Sequence, residues 1–282
     1  MFYEVFVKMK KLWVLGALLV FFSACENSEV PENRVFSIND LLHKKVGVQA
    51  ATTAEIYAAE YGSDTAKIET VSFETLEQSI QALRRGELDA VLCDDAPAAV
   101  YVAKNPTLRI LNEVFKEESY AGIIAKQNWA LLDTVNMALI QMRAMGVYDS
   151  IFNSYIGGDG SYHIKTGEVK GPALKVATNA EFPPYEFRTE KGAQGIDIEI
   201  ARYIADFMER PLEIIDIDFD EVIGAVDSGK ADIGLAAFSV TEERGKIVNF
   251  TDNYATSKIV VVVRSGETES TLQRIKDTLF GD

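Results

Sequence analysis

The stretch from Leu174 to Phe187, Leu-Lys-Val-Ala-Thr-Asn-Ala-Glu-Phe-Pro-Pro-Tyr-Glu-Phe, limits what this chain can fold into more than any other. It begins as a short apolar strand. Asn179 tolerates unusual backbone angles. Pro183 and Pro184 each fix φ and remove an amide donor, so neither a helix nor a central strand continues past them. A strand that stops there and hands on to a rigid loop bearing Phe182 and Tyr185 sets aromatic rings and free backbone groups at the carboxyl edge of a sheet. In open α/β sheets, ligands bind at that edge.

The 282 residues together, 48% hydrophobic, can bury a core large enough for two lobes. A formal charge of −15 speaks against nucleic acid or an anionic membrane surface as a main partner, because both call for a basic patch. Two cysteines and two histidines give poor support to a disulfide framework, a Cys/His zinc site or a His-dependent triad.

Lys8, Lys10 and Lys11, then an apolar run from Leu12 to Phe22, then Ser23-Ala24-Cys25, form a secretion signal of the basic, apolar, small-residue type. The cysteine directly after Ser-Ala resembles the bacterial lipoprotein cleavage box, with Phe22 where Leu is usual, so residues 1–25 are expected to be a lipoprotein signal peptide and Cys25 to carry the lipid. An ordinary signal peptide or a short anchor is the plainer alternative. Met9-Lys10-Lys11 reads as a more natural start than Met1. Residues 26–36 then read as a tether.

Strands are expected at Lys45 to Gln49, Ile68 to Ser72, Leu88 to Cys93 and Leu108 to Leu111, with a helix opened by Ala50 to Glu55 and another from Leu76 to Arg85. Thr52 and Thr53 open the first helix, where they either cap it or face an anion. Asp94 and Asp95 end a buried strand: one suits a helix cap and the other is free to meet a cation. Glu117 to Ala125 reads as a turn and strand, Leu131 to Met145 as an amphipathic helix. Gly157 to Pro172 is the most linker-like stretch, expected to be exposed, with His163 in solvent and no contacts the fold depends on. After Leu174 to Phe187 come a helix from Ile196 to Met208, a strand at Glu213 to Asp218, a strand at Ala231 to Ala236, a loop at Asn249 to Tyr254, an apolar strand at Ile259 to Val263 and a helix over Thr271 to Phe280. The alternation implies α/β layers.

Thr-Asn-Ala-Glu-Phe-Pro-Pro-Tyr-Glu-Phe, Phe-Ser-Val-Thr-Glu-Glu-Arg, Asn-Phe-Thr-Asp and Lys-Lys-Val-Gly-Val-Gln together resemble the solute-binding proteins of polar amino-acid ABC transporters, family 3. The resemblance spans nearly all of the expected mature chain, but with its halves in reversed order: the segment that usually comes first lies at Leu174 to Val263, and the one that usually follows lies at Ser37 to Gly157. It therefore implies the type II periplasmic-binding-protein-like fold, two α/β lobes, in a circularly permuted chain. One lobe would hold 37–118 plus 259–282, the other 121–157 plus 174–255, and 158–173 would join the usual chain ends. The chain would cross between lobes near Ser119 and Thr256.

By the same resemblance Arg244 takes the ligand carboxylate, which suits its planar fork, and Asp94 takes the ammonium, leaving Asp95 as the cap. Phe182 and Phe219 sandwich the side chain with Tyr185 nearby. Ser239, the backbone of Ala237, and Thr53 supported by Thr52 supply further hydrogen bonds. Asn179 stands where many members have Asp, which argues for a neutral polar ligand over Lys or Arg unless Glu181 restores the charge. The structural alternatives are a surface arginine paired with Glu242 or Glu243, and aromatics that merely fill the core.

The function so implied is extracytoplasmic capture of a free polar amino acid and delivery to an ABC permease, with no cofactor, no metal, no nucleic acid, and membrane contact only through the lipid anchor. A cyclohexadienyl dehydratase-like enzyme and a ligand-sensing module are the alternatives on the same fold.

Overall fold

In a computed structural model of the protein, residues 33–165 and 169–265 are described. The expected signal segment with Cys25, the tether up to residue 32 and the helix over Thr271 to Phe280 lie outside the described residues. Among the described residues, no helix is long and apolar enough to cross a membrane.

In chain order, the first group of elements is β1 (Lys45–Gln49), α1 (Thr53–Glu60), β2 (Glu69–Phe73), α2 (Leu76–Arg84), β3 (Ala90–Asp94), α3 (Asp95–Lys104) and β4 (Leu108–Tyr120). Next come β5 (Ile123–Ala125), α4 (Trp129–Ala144), α5 (Val147–Tyr155), β6 (Leu174–Thr178), β7 (Glu181–Phe182), β8 (Glu186–Thr189), β9 (Gly192–Gln194) and α6 (Ile196–Phe207). The last are β10 (Leu212–Asp216), α7 (Phe219–Asp227), β11 (Ile233–Gly234), α8 (Glu242–Ile247), β12 (Val248–Phe250) and β13 (Ala255–Arg264). They make two five-stranded mixed sheets, ordered β2-β1-β3-β13-β4 and β10-β6-β11-β5-β12, and a small sheet β9-β8-β7.

The first sheet is apolar on both faces because helices cover both. On β13, Ile259, Val261 and Val263 pack with Val46, Val48, Ala90 and Leu92, while Val260 and Val262 pack with Val91 and Cys93 on the other side. That alternation is the period of two of a strand. In the second sheet, Val176 and Ile233 face α4, α5 and α6, whereas Ala177 and Ile123 face α7. Helix α6 docks by Ile196, Ile200 and Ile204, spaced i, i+4, i+8. Its start is fastened to the Pro-Pro loop: the Asp197 amide donates to the Tyr185 carbonyl at 2.9 Å. Gly195, at φ 128°, lies so close to that carbonyl that a Cβ would collide with it.

Two neighbouring strands connect the sheets. The chain leaves the first sheet at Tyr120 and enters the second at Ile123; it returns between Phe250 and Ala255. Ala255 pairs with Tyr120, and the Tyr254 amide donates to the Tyr120 carbonyl at 2.8 Å.

Several elements differ from their sequence reading. Glu117 to Tyr120 is not a turn but the end of β4, paired through to Ala255 on β13. The expected loop at Asn249 begins inside a strand, β12. The strand expected over Ala231 to Ala236 shrinks to Ile233–Gly234, and Ala237, at φ 47°, turns the backbone out of the sheet. The linker is not contact-free. The Glu199 carboxylate on α6 is buried, so it needs donors. His163 Nδ1 lies 2.9 Å from its Oε1, and the Ile164 amide donates to its Oε2 at 2.7 Å. Tyr162 and Ile164 pack on the core beneath α5 and α6.

Candidate functional site

A pocket lies where the carboxyl ends of β1, β3 and β6 meet α1, α7 and α8. Thr52, Thr53, Asp94, Asn179, Phe182, Phe219, Ala237, Ser239 and Arg244 line it, and Gln49, Glu186 and Ala236 join them. Tyr185 and Glu181 do not. Tyr185 is buried edge-to-face against Tyr120 at 5.1 Å, so its ring belongs to the core. Glu181 turns outward onto Arg188, 2.5 Å away, and supplies the pocket with no charge. The cavity is about 20 Å³, room for roughly one water.

Arg244 is buried, one turn into α8, whose first turn is capped by Thr241: the Arg244 amide donates to Thr241 Oγ1 at 3.2 Å. It pairs with neither Glu242 nor Glu243. Its Nη1 donates to the Ser239 carbonyl at 3.0 Å and its Nη2 to the Ala51 carbonyl at 2.9 Å. Ala51 precedes α1 and Arg244 follows β11, so this bond spans the two sheets' elements. The guanidinium lies 5.6 Å from the Phe219 ring centre and 5.2 Å from that of Phe238. Those rings stack at 4.9 Å. Burial lowers the Arg244 pKa from its usual value, opposed mainly by the nearby Glu118 carboxylate. With two of its five N–H groups committed, the fork keeps donors for an anion.

Asp94 ends β3 and is buried. Both connecting strands hold it: the Tyr120 hydroxyl of β4 donates to Oδ1, and Ser257 Oγ of β13 donates to the same atom at 2.7 Å. Burial pushes its pKa up to about 6. Asp95 differs: its Oδ1 accepts from the Ala96 amide at 2.9 Å in the first turn of α3, and it borders a second, wider cavity. Asp94 occupies the position before α3 but makes no side-chain cap bond.

At the other end, Asn179 Nδ2 donates to the Ile217 carbonyl at 3.0 Å, which fixes the amide's orientation at the end of β6. Glu186, missed in the sequence, is a buried carboxyl on the pocket lining; its Oε2 and Oδ1 of the buried Asp197 have no hydrogen-bond partner among the described residues. Burial raises the pKa of both acids. Asp197 Oδ2 accepts from the Tyr254 hydroxyl at 2.7 Å and from the Ala237 amide at 2.9 Å. The Ala237 amide, expected to serve a ligand, is therefore committed to Asp197.

Thr52 caps α1: its Oγ1 accepts from the Glu55 amide at 3.4 Å and donates to the Gln49 carbonyl at 2.7 Å. Thr53 and Ser239, from opposite sheets' elements, both donate to Glu118 Oε2 at 2.8 Å.

With this geometry in hand, comparison with known proteins is specific for one part of the chain. Residues 174–279 match the bacterial extracellular solute-binding proteins, family 3. This segment belongs to that family. Among curated relatives, the arginine-binding extracellular protein ArtP of Bacillus subtilis is 32% identical over 37% of this chain and 40% of its own length. A probable histidine-binding protein of Neisseria gonorrhoeae is 29% identical over 44% and 46%. Domain 1 of TmArgBP in its arginine-bound form is 32% identical, covering 38% of this chain and 90% of that one, with a TM-score of 0.29. The chain thus spans less than half the length of these two curated relatives.

The family-3 segment carries Asn179, Phe182, Glu186, Phe219, Ala237, Ser239 and Arg244. Thr52, Thr53 and Asp94 come from the chain before it, which makes the pocket a joint product of both halves. Glu118 and Gln49 also lie before it; Gln49 ends the Lys-Lys-Val-Gly-Val-Gln motif without having been singled out, and nothing in the local sequence marks Glu118. Glu186 had a signal in retrospect: a carboxylate between Tyr185 and Phe187 in a segment of otherwise buried character.

Proposed function

We propose that the protein captures a polar amino acid between two α/β lobes outside the cytoplasm and hands it to an ABC permease. The observation that carries this reading is the burial of one cation, Arg244, and one separately held carboxylate, Asp94, on the same pocket with Phe182 and Phe219. Every free amino acid presents a carboxylate and an ammonium. Arg244 with the Thr53 and Ser239 hydroxyls takes the first, Asp94 the second, and the side chain lies between Phe182 and Phe219 toward Asn179 and Glu186. Relatives named as arginine-, histidine- and cystine-binding proteins support a polar ligand.

The lobes in this reading are 37–118 plus 259–282 and 121–157 plus 174–255, with 158–173 as the join. The permuted order is supported by β5, from the chain's first half, sitting between β11 and β12, while β13, from its second half, sits between β3 and β4. Lipidation at Cys25, and thus anchoring to the outer face of a membrane, follows from the sequence signal alone. A thermal-shift screen against the common amino acids tests the function. A ligand at about 100 times its dissociation constant adds about 2.7 kcal/mol. No shift with any of them contradicts capture.

A second reading, an acid-assisted dehydratase, draws on one observation: Asp94 and Glu186 both have raised pKa values and can carry a proton at the pocket. Turnover of prephenate or arogenate by the purified protein would establish it.

A further inference from the structure

We propose that Glu118 is a built-in occupant of the carboxylate site, a latch that a ligand's own carboxylate must displace. The chemistry is explicit. Glu118 Oε2 accepts from Thr53 Oγ1 and from Ser239 Oγ, each at 2.8 Å, and Oε1 accepts from the Tyr57 hydroxyl at 2.8 Å. Thr53 and Tyr57 stand on α1 against the first sheet, whereas Ser239 follows β11 of the second. One carboxylate therefore draws together hydroxyls from both sides of the pocket. It also faces Arg244, whose charge it supports.

These are the donors an incoming α-carboxylate needs, and hydroxyls held by an ionised acceptor are not given up without loss, since such bonds are the strong ones. The pocket's volume, about 20 Å³, is too small for any amino acid, so admission requires the two sides to part, and parting breaks the Thr53–Glu118–Ser239 bridge. Glu118 lies on β4 where it pairs with Ser257 on β13, within the strands that connect the sheets. A displaced side chain has somewhere to go: the adjoining cavity of about 630 Å³ is bordered by Glu118 itself and by Lys116 and Lys258. Exchange of one carboxylate for another then couples ligand arrival to a change at the connecting strands, and it sets affinity: the tighter the internal carboxylate holds, the weaker the ligand binds.

What displaces Glu118 rests on the amino-acid reading above; the latch itself does not. The test uses the full chain and the variants Glu118→Gln, which keeps the shape and removes the charge, and Glu118→Ala. Small-angle scattering without added ligand is expected to show a larger radius of gyration for both variants than for the parent. Calorimetric titration with L-glutamine and L-arginine is expected to show about tenfold tighter binding to Glu118→Ala for whichever probe the parent binds, the size of one charge-assisted hydrogen bond released. An unchanged radius of gyration in both variants overturns the latch. So does weaker binding by both, which would make Glu118 a ligand group. If neither parent nor variants bind either probe, the scattering comparison still decides the latch, and the failure falls on the choice of ligand class.

Discussion

Replacing Asp94 with Asn should uncouple stability from binding. The Asp94 carboxyl is buried, and its pKa rises from 3.8 to about 6. Because the folded pKa lies above the unfolded one, the folded chain holds the extra proton between about pH 4 and pH 6. The stability this group contributes is complete below the unfolded value and is lost as pH rises through the folded one. A shift of about 2 units at 1.36 kcal/mol each amounts to about 3 kcal/mol of stability lost across that window. Asn cannot ionise, yet its oxygen still accepts from the Tyr120 and Ser257 hydroxyls that meet Asp94 now. The Asp94→Asn protein should therefore gain on the parent by about 3 kcal/mol between pH 4 and pH 7.5, measured as the change in the difference of urea unfolding free energies followed by circular dichroism. At pH 7.5 the same variant should lose amino-acid binding, while Asp95→Asn keeps it within about twofold, because Asp95 serves the first turn of α3. A difference between variant and parent that stays flat with pH would refute the burial argument. Loss of binding in Asp95→Asn alone would move the ammonium site by one residue.

Gly195→Ala should lower stability by about 2 kcal/mol or more, since it adds a Cβ against the Tyr185 carbonyl at a strained φ of 128°; an unchanged thermal midpoint would show that the Pro-Pro loop is not fastened to α6 there. His163→Ala removes one partner of buried Glu199 and should cost about 1 kcal/mol with binding unaltered, checked by urea unfolding and titration side by side; no loss of stability would return the linker to a passive role. A protease site placed between Lys165 and Val169 should be cut with binding retained, because Tyr162 to Ile164 stay attached to α5 and β6 begins only at Leu174. Loss of ligand on cutting would mean that the join is structural throughout.

The strand ending at Asn179 was legible because Pro183 and Pro184 leave the chain no alternative, and β13 was legible because Ile259 to Val263 is apolar on both faces. The connecting strands were harder. Lys116, Glu117 and Glu118 lack the apolar alternation that marks a half-buried strand, because β4 there is ordered by pairing with β13 and by side chains that serve the pocket rather than a core. Helix periodicity found α4 and α6 within two residues at either end, whereas β11 was overextended: Leu235 and Ala236 are apolar, but the backbone turns at Ala237. In the site, Arg244, Asp94 and the two phenylalanines could be named because the motifs around them resemble a known family, and the structure sets all four on one pocket. Glu186, Gln49 and Glu118 could not, because their place depends on which distant segments meet. The linker misled for a related reason: Gly and Ser content speaks for solvent, where His163 does lie, but buried Glu199, distant in sequence, takes His163 and the Ile164 amide as partners.

Calorimetric titration of Arg244→Met against the amino acid that gives the parent its largest thermal shift tests the central claim most directly. The carboxylate is common to every amino acid, and losing one partner of a desolvated charge pair costs about 2–5 kcal/mol, so the variant should bind at least thirtyfold more weakly, whatever the side chain. Binding within about twofold of the parent would contradict the account.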